Sequence, residues 1–171
     1  MAEKATTAKQ KTVDNATVEK KYDLEKRVSV KNLANWTVTF ARKGENQGDV
    51  LIAKDGRAIL TRNEIQAQID SGNKLFIGED GHGSHATIYI EDAATRKWVG
   101  FEDENHKQMI LTDDVVLKLF DMSNPEYESS IPVYVKTRAE KYALIETIRR
   151  LNLNDYRKIV FAEKYTGFKV Q

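Results

Sequence analysis

Residues 137–168, TRAEKYALIETIRRLNLNDYRKIVFAEKYTGF, carry the clearest secondary-structure signal in the chain. Thr137 and Glu140 have the spacing of a capping box, in which each side chain binds the backbone amide of the other residue at the start of a helix. On the outer face of this helix, Glu146 and Arg150 are predicted to form an i,i+4 ion pair. The helix is predicted to bury an apolar stripe formed by Leu144, Ile145, Ile148 and Leu151.

A second helix is predicted directly after the first. The polar residues 152–154 form a turn, and the second helix runs from Asp155 to about Tyr165 and ends near Gly167. Its inward side chains are predicted to be Tyr156, Ile159 and Val160. The two helices together form a C-terminal helical hairpin.

Before the hairpin, short runs of alternating apolar residues indicate β-strands. The predicted strands cover residues 36–40, 48–52, 58–60, 74–77, 86–91, 97–102, 107–111 and 131–135. An Asp-Gly turn joins the second strand to the third. The fourth to seventh strands form a meander, with turns at residues 93–96 and 103–106.

Two short helices are predicted within this region from their N-terminal caps. Thr61 and Glu64 form another capping box, and the helix that follows ends at the Ser-Gly pair of residues 71–72. Thr112 caps a second helix, whose first turn carries two carboxylates at the positive end of the helix dipole. A break at residues 123–126, which contain a proline, ends it.

These elements predict an α+β fold in three parts. Residues 1–27 have few large apolar side chains and form an extended N-terminal arm. Residues 28–135 form a small antiparallel β-rich domain with short helices, and residues 136–171 form the helical hairpin, packed on the same domain. Because the arm has too little apolar surface to offset the entropy of ordering it, we expect a neighbouring molecule to hold it.

The net charge of +1 is distributed in three blocks of alternating sign. Residues 1–43 contain ten Lys/Arg and five Asp/Glu, residues 44–128 contain eight and seventeen, and residues 129–171 contain nine and four. A basic arm, an acidic body and a basic helical end favour docking onto copies of the same chain or onto charged neighbours.

The composition excludes several kinds of site. Cysteine is absent, which excludes disulfides, cysteine-ligated metals and a thiol nucleophile, and which is typical of a protein made in a reducing cytosol. Residues 1–10 lack the apolar core of a signal peptide, and no apolar run approaches the length of about 20 residues that spans a bilayer. We therefore predict a soluble protein with no membrane partner.

Residues 78–85, GEDGHGSH, form the segment whose composition most resembles that of a catalytic or metal-binding site. His82 and His85, with one of the two carboxylates before them, have donor types that ligate metals, and Ser84 beside His85 suggests a nucleophile and a base. A glycine-rich loop also joins secondary-structure elements without any chemistry, because glycine adopts positive φ. This second interpretation is favoured, so no catalytic, cofactor-binding or metal-binding residue is assigned.

The basic residues of the hairpin have two possible partners, an acidic protein surface or a nucleic acid. Because the acidic body would repel a phosphate backbone, protein docking is preferred. The candidate interaction residues are Arg149, Arg150, Arg157 and Lys158 of the hairpin and Lys20 and Lys21 of the arm.

Three segments also support a resemblance to a known class of proteins. Residues 35–42 (NWTVTFAR), 73–78 (NKLFIG) and 83–86 (GSHA) follow one another in a way that resembles small structural proteins of tailed bacteriophages. Such proteins accompany the capsid, vertex, portal or neck. The resemblance covers roughly residues 28–111 and is one of segment order, without a diagnostic motif.

The resemblance implies a non-catalytic structural or assembly protein of a phage particle, which clamps neighbouring subunits through its arm and its hairpin. It implies no cofactor, partners among other virion structural proteins and copies of the chain, and location in the virion after synthesis in the host cytoplasm. Two alternatives stay open. One is a nucleic-acid-binding accessory protein that uses the basic C-terminal helices, and the other is a metal-dependent enzyme at the glycine-histidine loop.

Overall fold

A computed structural model of the chain describes residues 22–44 and 47–170, which form an α+β fold and so confirm the predicted fold class. In these residues the strands are β1 (Arg27–Asn32), β2 (Val38–Ala41), β3 (Asp49–Ile52), β4 (Arg57–Thr61) and β5 (Ile88–Ile90). The helices are α1 (Arg62–Asp70), α2 (Lys74–Ile77), α3 (Ala93–Trp98), α4 (Asp113–Asp121), α5 (Asn124–Tyr134), α6 (Arg138–Arg150) and α7 (Tyr156–Thr166).

The strands form two small antiparallel sheets. One sheet has the order β4-β1-β5, with Val30 of β1 opposite Ala58 of β4 and Ile90 of β5. The other pairs β2 with β3, with Phe40 opposite Val50. Burial alternates along β1, β2 and β3, because successive side chains point to opposite faces of a strand.

The two sheets share one hydrophobic core and are joined by a buried amide. The side-chain nitrogen of Asn32, at the end of β1, donates to the carbonyl oxygens of Trp36, Ile52 and Ala53 at 2.7, 3.1 and 3.1 Å. These bonds hold the ends of both sheets together. The buried members of this first core are Val28, Val30, Ala34, Val38, Phe40, Val50, Ile52, Leu60, Ile65, Phe76, Ile88, Ile90, Phe101 and Ala139.

The predicted meander is wrong in most of its elements. Residues 74–77 form helix α2, because Asn73 caps it through a hydrogen bond from the Leu75 amide. The predicted turn at 93–96 is helix α3, which Asp92 caps and which takes up the start of the predicted strand 97–102. Residues 107–111 have no regular secondary structure, and the strand predicted at 86–91 is confined to β5.

The predicted helix caps are confirmed. Thr61 and Glu64 form a capping box on α1, which ends at Asp70, and Gly72 beyond it has φ +69°. Thr112 accepts a hydrogen bond from the Val115 amide at the start of α4.

The predicted break at residues 123–126 begins a helix instead of separating a helix from a strand. Ser123 and Glu126 form a capping box, and a proline stands in the first turn, where it costs no helical hydrogen bond. Helix α5 then continues over residues 131–134, so the strand predicted at 131–135 is wrong. The β-branched residues of this segment are compatible with a helix because tertiary packing overrides propensity.

Helices α6 and α7 form the predicted hairpin, and the capping box at the start of α6 is confirmed. Together with α4 and α5 they enclose a second hydrophobic core, separate from the first. Its buried members are Val116, Leu119, Tyr127, Ile131, Val135, Leu144, Ile145, Ile148 and Ala162. The predicted boundary between residues 135 and 136 therefore does not coincide with the boundary between the two cores.

The predicted inward face of α7 is wrong at two of its three positions. Tyr156 and Val160 are 82% and 43% exposed, while Ile159 packs against the second core. The residues of α7 that are buried lie at i, i+4 and i+8 and are Lys158, Ala162 and Thr166. The helix is therefore rotated about its axis relative to the orientation that would bury its most apolar residues.

The first residues that the structure describes contact helix α3 and its cap. The ring centroid of Tyr22 lies 5.7 Å from that of Trp98, and Lys26 forms a 3.0 Å ion pair with Asp92. Residues 22–27 thus belong to the domain, and the rest of the predicted arm, residues 1–21, lies outside the described residues. Within the described residues, no helix combines the length and apolar character needed to cross a membrane.

Candidate functional site

A cleft of about 190 Å³ lies at the junction of the two hydrophobic cores. One wall is formed by Lys31 near the end of β1, by residues 33–35 after it and by the turn between β3 and β4. Successive turns of α6 form the facing wall, and residues 110–113 contribute to the lining. Ligand sites are common where two packed units meet, because each unit supplies its own groups to the space between them.

The apolar lining of the cleft combines four alanines with three larger aliphatic side chains. Ala139 and Ala143 lie four residues apart on α6 and present methyl groups to the cleft, with Ala34 and Ala86 contributed from the sheet side. The larger aliphatic groups are the buried Ile110 and the half-buried Leu33 and Leu111. Small side chains on both walls leave room for another main chain to approach.

The rim of the cleft carries charges of both signs, four of which form two ion pairs. Lys54 lies 4.0 Å from Glu146, and Arg150 donates to Asp113 at 2.5 Å. The hydrogen bond to Asp113 raises the pKa of Arg150, and the charge of Asp55 adds to the effect. These pairs are largely exposed, so each contributes only about 0–1 kcal/mol to stability.

An apolar pocket continues the cleft along α6. It is lined by Asn35, Trp36, Arg138, Tyr142 and Phe168, and it shares Asn35 and Tyr142 with the cleft. Trp36 is 44% exposed, and the rings of Tyr142 and Phe168 meet edge to face with centroids 5.4 Å apart. We call the cleft and this aromatic pocket together the junction groove.

A buried hydrogen bond between two side chains supports the wall of the junction groove. Oε1 of Glu140 lies 2.7 Å from Nδ1 of His85, and Oε2 accepts hydrogen bonds from the amides of Lys136 and Thr137 at 2.8 and 3.0 Å. Both side chains of the pair are less than one-tenth exposed. Glu140 therefore fixes the start of α6 to the loop that carries His85.

The remainder of the glycine-histidine loop is organised by its own backbone. Asp80 accepts hydrogen bonds from the amides of His82 and Ser84. Burial opposes ionisation of Asp80, but these hydrogen bonds hold its pKa below the ordinary value. The Ser84 hydroxyl accepts from the Met109 amide at 3.1 Å, which ties the loop to residues 107–111.

The two histidines of the metal hypothesis have different neighbours. His85 faces Glu140, whereas the ring of His82 faces that of His106, with centroids 6.4 Å apart. Among the residues that the structure describes, no three or more His, Asp and Glu side chains are grouped so that they would hold a metal ion. In the Ser84–His85 pair that suggested a nucleophile and a base, the serine hydroxyl accepts a hydrogen bond from the Met109 amide.

Two of the candidate interaction residues, Arg149 and Arg150, have acceptors within the chain. Arg149 donates to the carbonyl oxygens of Lys169 and Val170 at 3.0 and 2.7 Å and pairs with Glu146. Arg150 pairs with Asp113, so the predicted pair of Arg150 with Glu146 is wrong. The arginine one position earlier takes that glutamate, because i,i+3 neighbours also meet on a helix.

Lys158, Arg157, Lys20 and Lys21 complete the candidate set. Lys158 is buried, donates to the carbonyl oxygen of Phe120, and lies within 6 Å of two aromatic ring centroids. Arg157 is exposed and lies 3.4 Å from a carboxylate oxygen of Glu128. Lys20 and Lys21 lie outside the described residues.

The outer face of α7 is a second surface that the sequence patterns missed. Tyr156 and Val160 lie one turn apart on it, next to Arg157. No local signal indicated it, because the sequence pattern placed Tyr156 and Val160 on the inward side of the helix. We call these three residues the α7 face.

None of the protein-family models, curated proteins and solved structures with which the chain was compared matches it. The contacts of the junction groove and the α7 face are therefore the basis for a proposal about function.

Proposed function

We propose that the chain is a non-catalytic structural protein of a tailed-bacteriophage particle, which assembles by binding neighbouring subunits. Its partners are other virion structural proteins and copies of itself, and its location is the virion. The resemblance of residues 28–111 to such proteins supports the class, and the exposure of Tyr156 supports the docking role.

The exposure of Tyr156 carries this proposal. Because Tyr156 is 82% exposed, its ring buries little apolar surface within its own fold. Tyrosine and arginine are enriched at the centres of protein interfaces. Val160 and Arg157 beside it add an apolar contact and a positive charge. The α7 face thus combines an aromatic anchor with a charge suited to the acidic body of residues 44–128.

Nucleic-acid binding through the basic helices has less support. Lys158 is buried against protein groups, and the guanidinium groups of Arg149 and Arg150 already donate to carbonyl and carboxylate oxygens. A phosphate backbone would have to displace these acceptors one by one. Arg157 alone of the four combines high exposure with a long, weak ion pair.

Two measurements test the proposal. Mass spectrometry of purified particles from the virus that encodes the chain should detect it in a fixed number of copies per particle. Sedimentation velocity of the pure full chain should show concentration-dependent association that Tyr156→Ala with Val160→Ala weakens by about tenfold or more.

The matched control for the second measurement is Leu51→Ala. Leu51 is 67% exposed on β3, so it presents a similar apolar group on a different part of the molecule. Its replacement should leave association unchanged. The proposal is wrong if the chain is absent from purified particles, or if the control and the α7 variant associate equally well.

A further inference from the structure

We propose that the junction groove binds residues 1–21 of a second copy of the chain. This inference rests on the proposed function, because it requires copies to lie side by side. It names the acceptor site for the N-terminal segment.

The shape of the groove suits an extended main chain with small side chains. Four alanine methyl groups line the cleft together with Leu33, Ile110 and Leu111, and the adjoining pocket has a volume of about 420 Å³ and aromatic walls. Residues 1–21 contain alanine and threonine at eight positions and no aromatic residue, with Val13 and Val18 as branched apolar groups. A valine fits the aromatic pocket, and the small residues fit the cleft.

The charges of the groove suit the same segment. Each wall supplies both signs, with Lys54 and Asp55 on the sheet side and Glu146 and Arg150 on α6. The exposed pairs at this rim are weak, so the charged groups of an incoming segment exchange with them at small cost. The segment also carries both signs, and its sequence places Glu19, Lys20 and Lys21 directly after Val18.

The position of the described N-terminal end favours a second copy as the donor. Tyr22 contacts Trp98 and Arg62, at the end of the first sheet where β1 begins. The groove lies at the opposite end, past the last residue of β1. Donor and acceptor sites at opposite ends of one molecule give a head-to-tail contact between copies, which extends into a ring or a row.

The length of the segment is sufficient for this contact. Twenty-one residues in extended conformation span up to about 70 Å, whereas the six residues of β1 span about 20 Å. The segment therefore reaches past its own domain to the groove of an adjacent molecule.

The absence of cysteine from the full chain allows a direct test. Val13→Cys and Val18→Cys are donors, Ala143→Cys in the cleft is the acceptor, and the acceptor chain carries a mass tag. Each donor is mixed with the acceptor and oxidised with diamide. For at least one donor, the disulfide-linked heterodimer should form about tenfold faster than with a control acceptor, because docking raises the local thiol concentration.

Ser129→Cys is that control, since Ser129 is exposed on α5 and does not line the groove. Equal rates for Ala143→Cys and Ser129→Cys with both donors overturn the inference. So does a link that forms within single chains carrying both cysteines while mixed chains give no heterodimer, because the occupant is then the molecule's own segment.

The outcome is distinguishable from failure of the proposed function. If the α7 variant weakens association and no groove disulfide forms, the assembly role stands and the groove inference fails. If the disulfide forms between copies while the chain is absent from purified particles, the groove binds the segment and the phage assignment fails.

Discussion

Nδ1 of His85 lies 2.7 Å from Oε1 of Glu140, while the other carboxylate oxygen of Glu140 caps helix α6. One side chain thus joins the loop after α2 to the first turn of α6. The sequence patterns place these two residues in unrelated features, a possible metal loop and a capping box. Their contact connects the sheet core with the helical core.

We expect Glu140→Ala to destabilise the protein by about 2–4 kcal/mol, because it removes a helix cap and leaves the buried His85 without its partner. Chemical denaturation measures the loss. Glu126→Ala is the matched control, since Glu126 completes an equivalent capping box at an exposed site. A loss no larger than that of the control would show that the buried pair adds nothing.

Gly78→Ala should destabilise the fold by at least about 3 kcal/mol, because backbone atoms cannot give way as a flexible side chain does. The residue has φ +65°, and a Cβ there would lie 2.0 Å from the carbonyl oxygen of Ser84. Gly81→Ala, at φ +79° in open space, should cost about 1 kcal/mol. Thermal unfolding compares the two variants, and equal losses would contradict the packing argument.

Two adjacent basic residues should respond differently to the same replacement. Lys158→Met leaves the carbonyl oxygen of Phe120 without its buried donor and should cost about 1–3 kcal/mol. Arg157→Met loses only an exposed ion pair and should leave the free energy of unfolding within about 0.5 kcal/mol. Denaturant titration gives both values. Affinity for duplex DNA should be equally low for both variants and the wild type, and a loss confined to Arg157→Met would support the nucleic-acid alternative.

Asp92 should give the protein an acid-sensitive stability. The hydrogen bond from Thr95, opposed by burial and assisted by the bonds from Lys26 and Arg62, holds its pKa well below the ordinary value. A carboxyl group with a depressed folded-state pKa stabilises the fold above its unfolded pKa of about 3.9, and this contribution is lost as the pH falls toward the folded pKa.

Asp92→Asn should therefore reduce the stability at pH 7 by about 1–2 kcal/mol and flatten the fall in unfolding free energy between about pH 5 and pH 2. Denaturant titration across this range gives the slope. Asp103→Asn is the comparison, because that exposed carboxylate binds only amides of its own turn. An unchanged slope in Asp92→Asn would contradict the assignment.

The elements that the sequence predicted correctly are those with long or reciprocal local signals. The capping box of Thr137 and Glu140 with the stripe after it defined α6, and alternation over several residues indicated β2. Helices α2 and α3 have only four and six residues. In such short elements one cap decides the conformation, and the caps Asn73 and Asp92 were available signals that hydrophobic periodicity outweighed.

The candidate site was less predictable because it depends on contacts between distant segments. Lys54 and Glu146 are 92 positions apart, and nothing local indicates that they face each other across a cleft. The orientation of α7 also depends on a distant contact, because the hydrogen bond of Lys158 to Phe120 turns Tyr156 outward. Tertiary packing buries Lys158 and exposes Tyr156, although tyrosine is usually buried more often than lysine.

The two cores follow one another along the chain, which sets an order for synthesis on the ribosome. All buried members of the first core except Ala139 precede residue 102, and those of the second begin at Val116. A nascent chain therefore has almost all of its sheet core before α6 emerges, and domains generally fold in the order in which they are made. The groove comes into being only when α6 arrives and Glu140 meets His85. A growing chain thus carries residues 1–21 from the start, but it has no junction groove until it is nearly complete. Nascent chains on one polysome therefore cannot bind one another through the groove before α6 has been made.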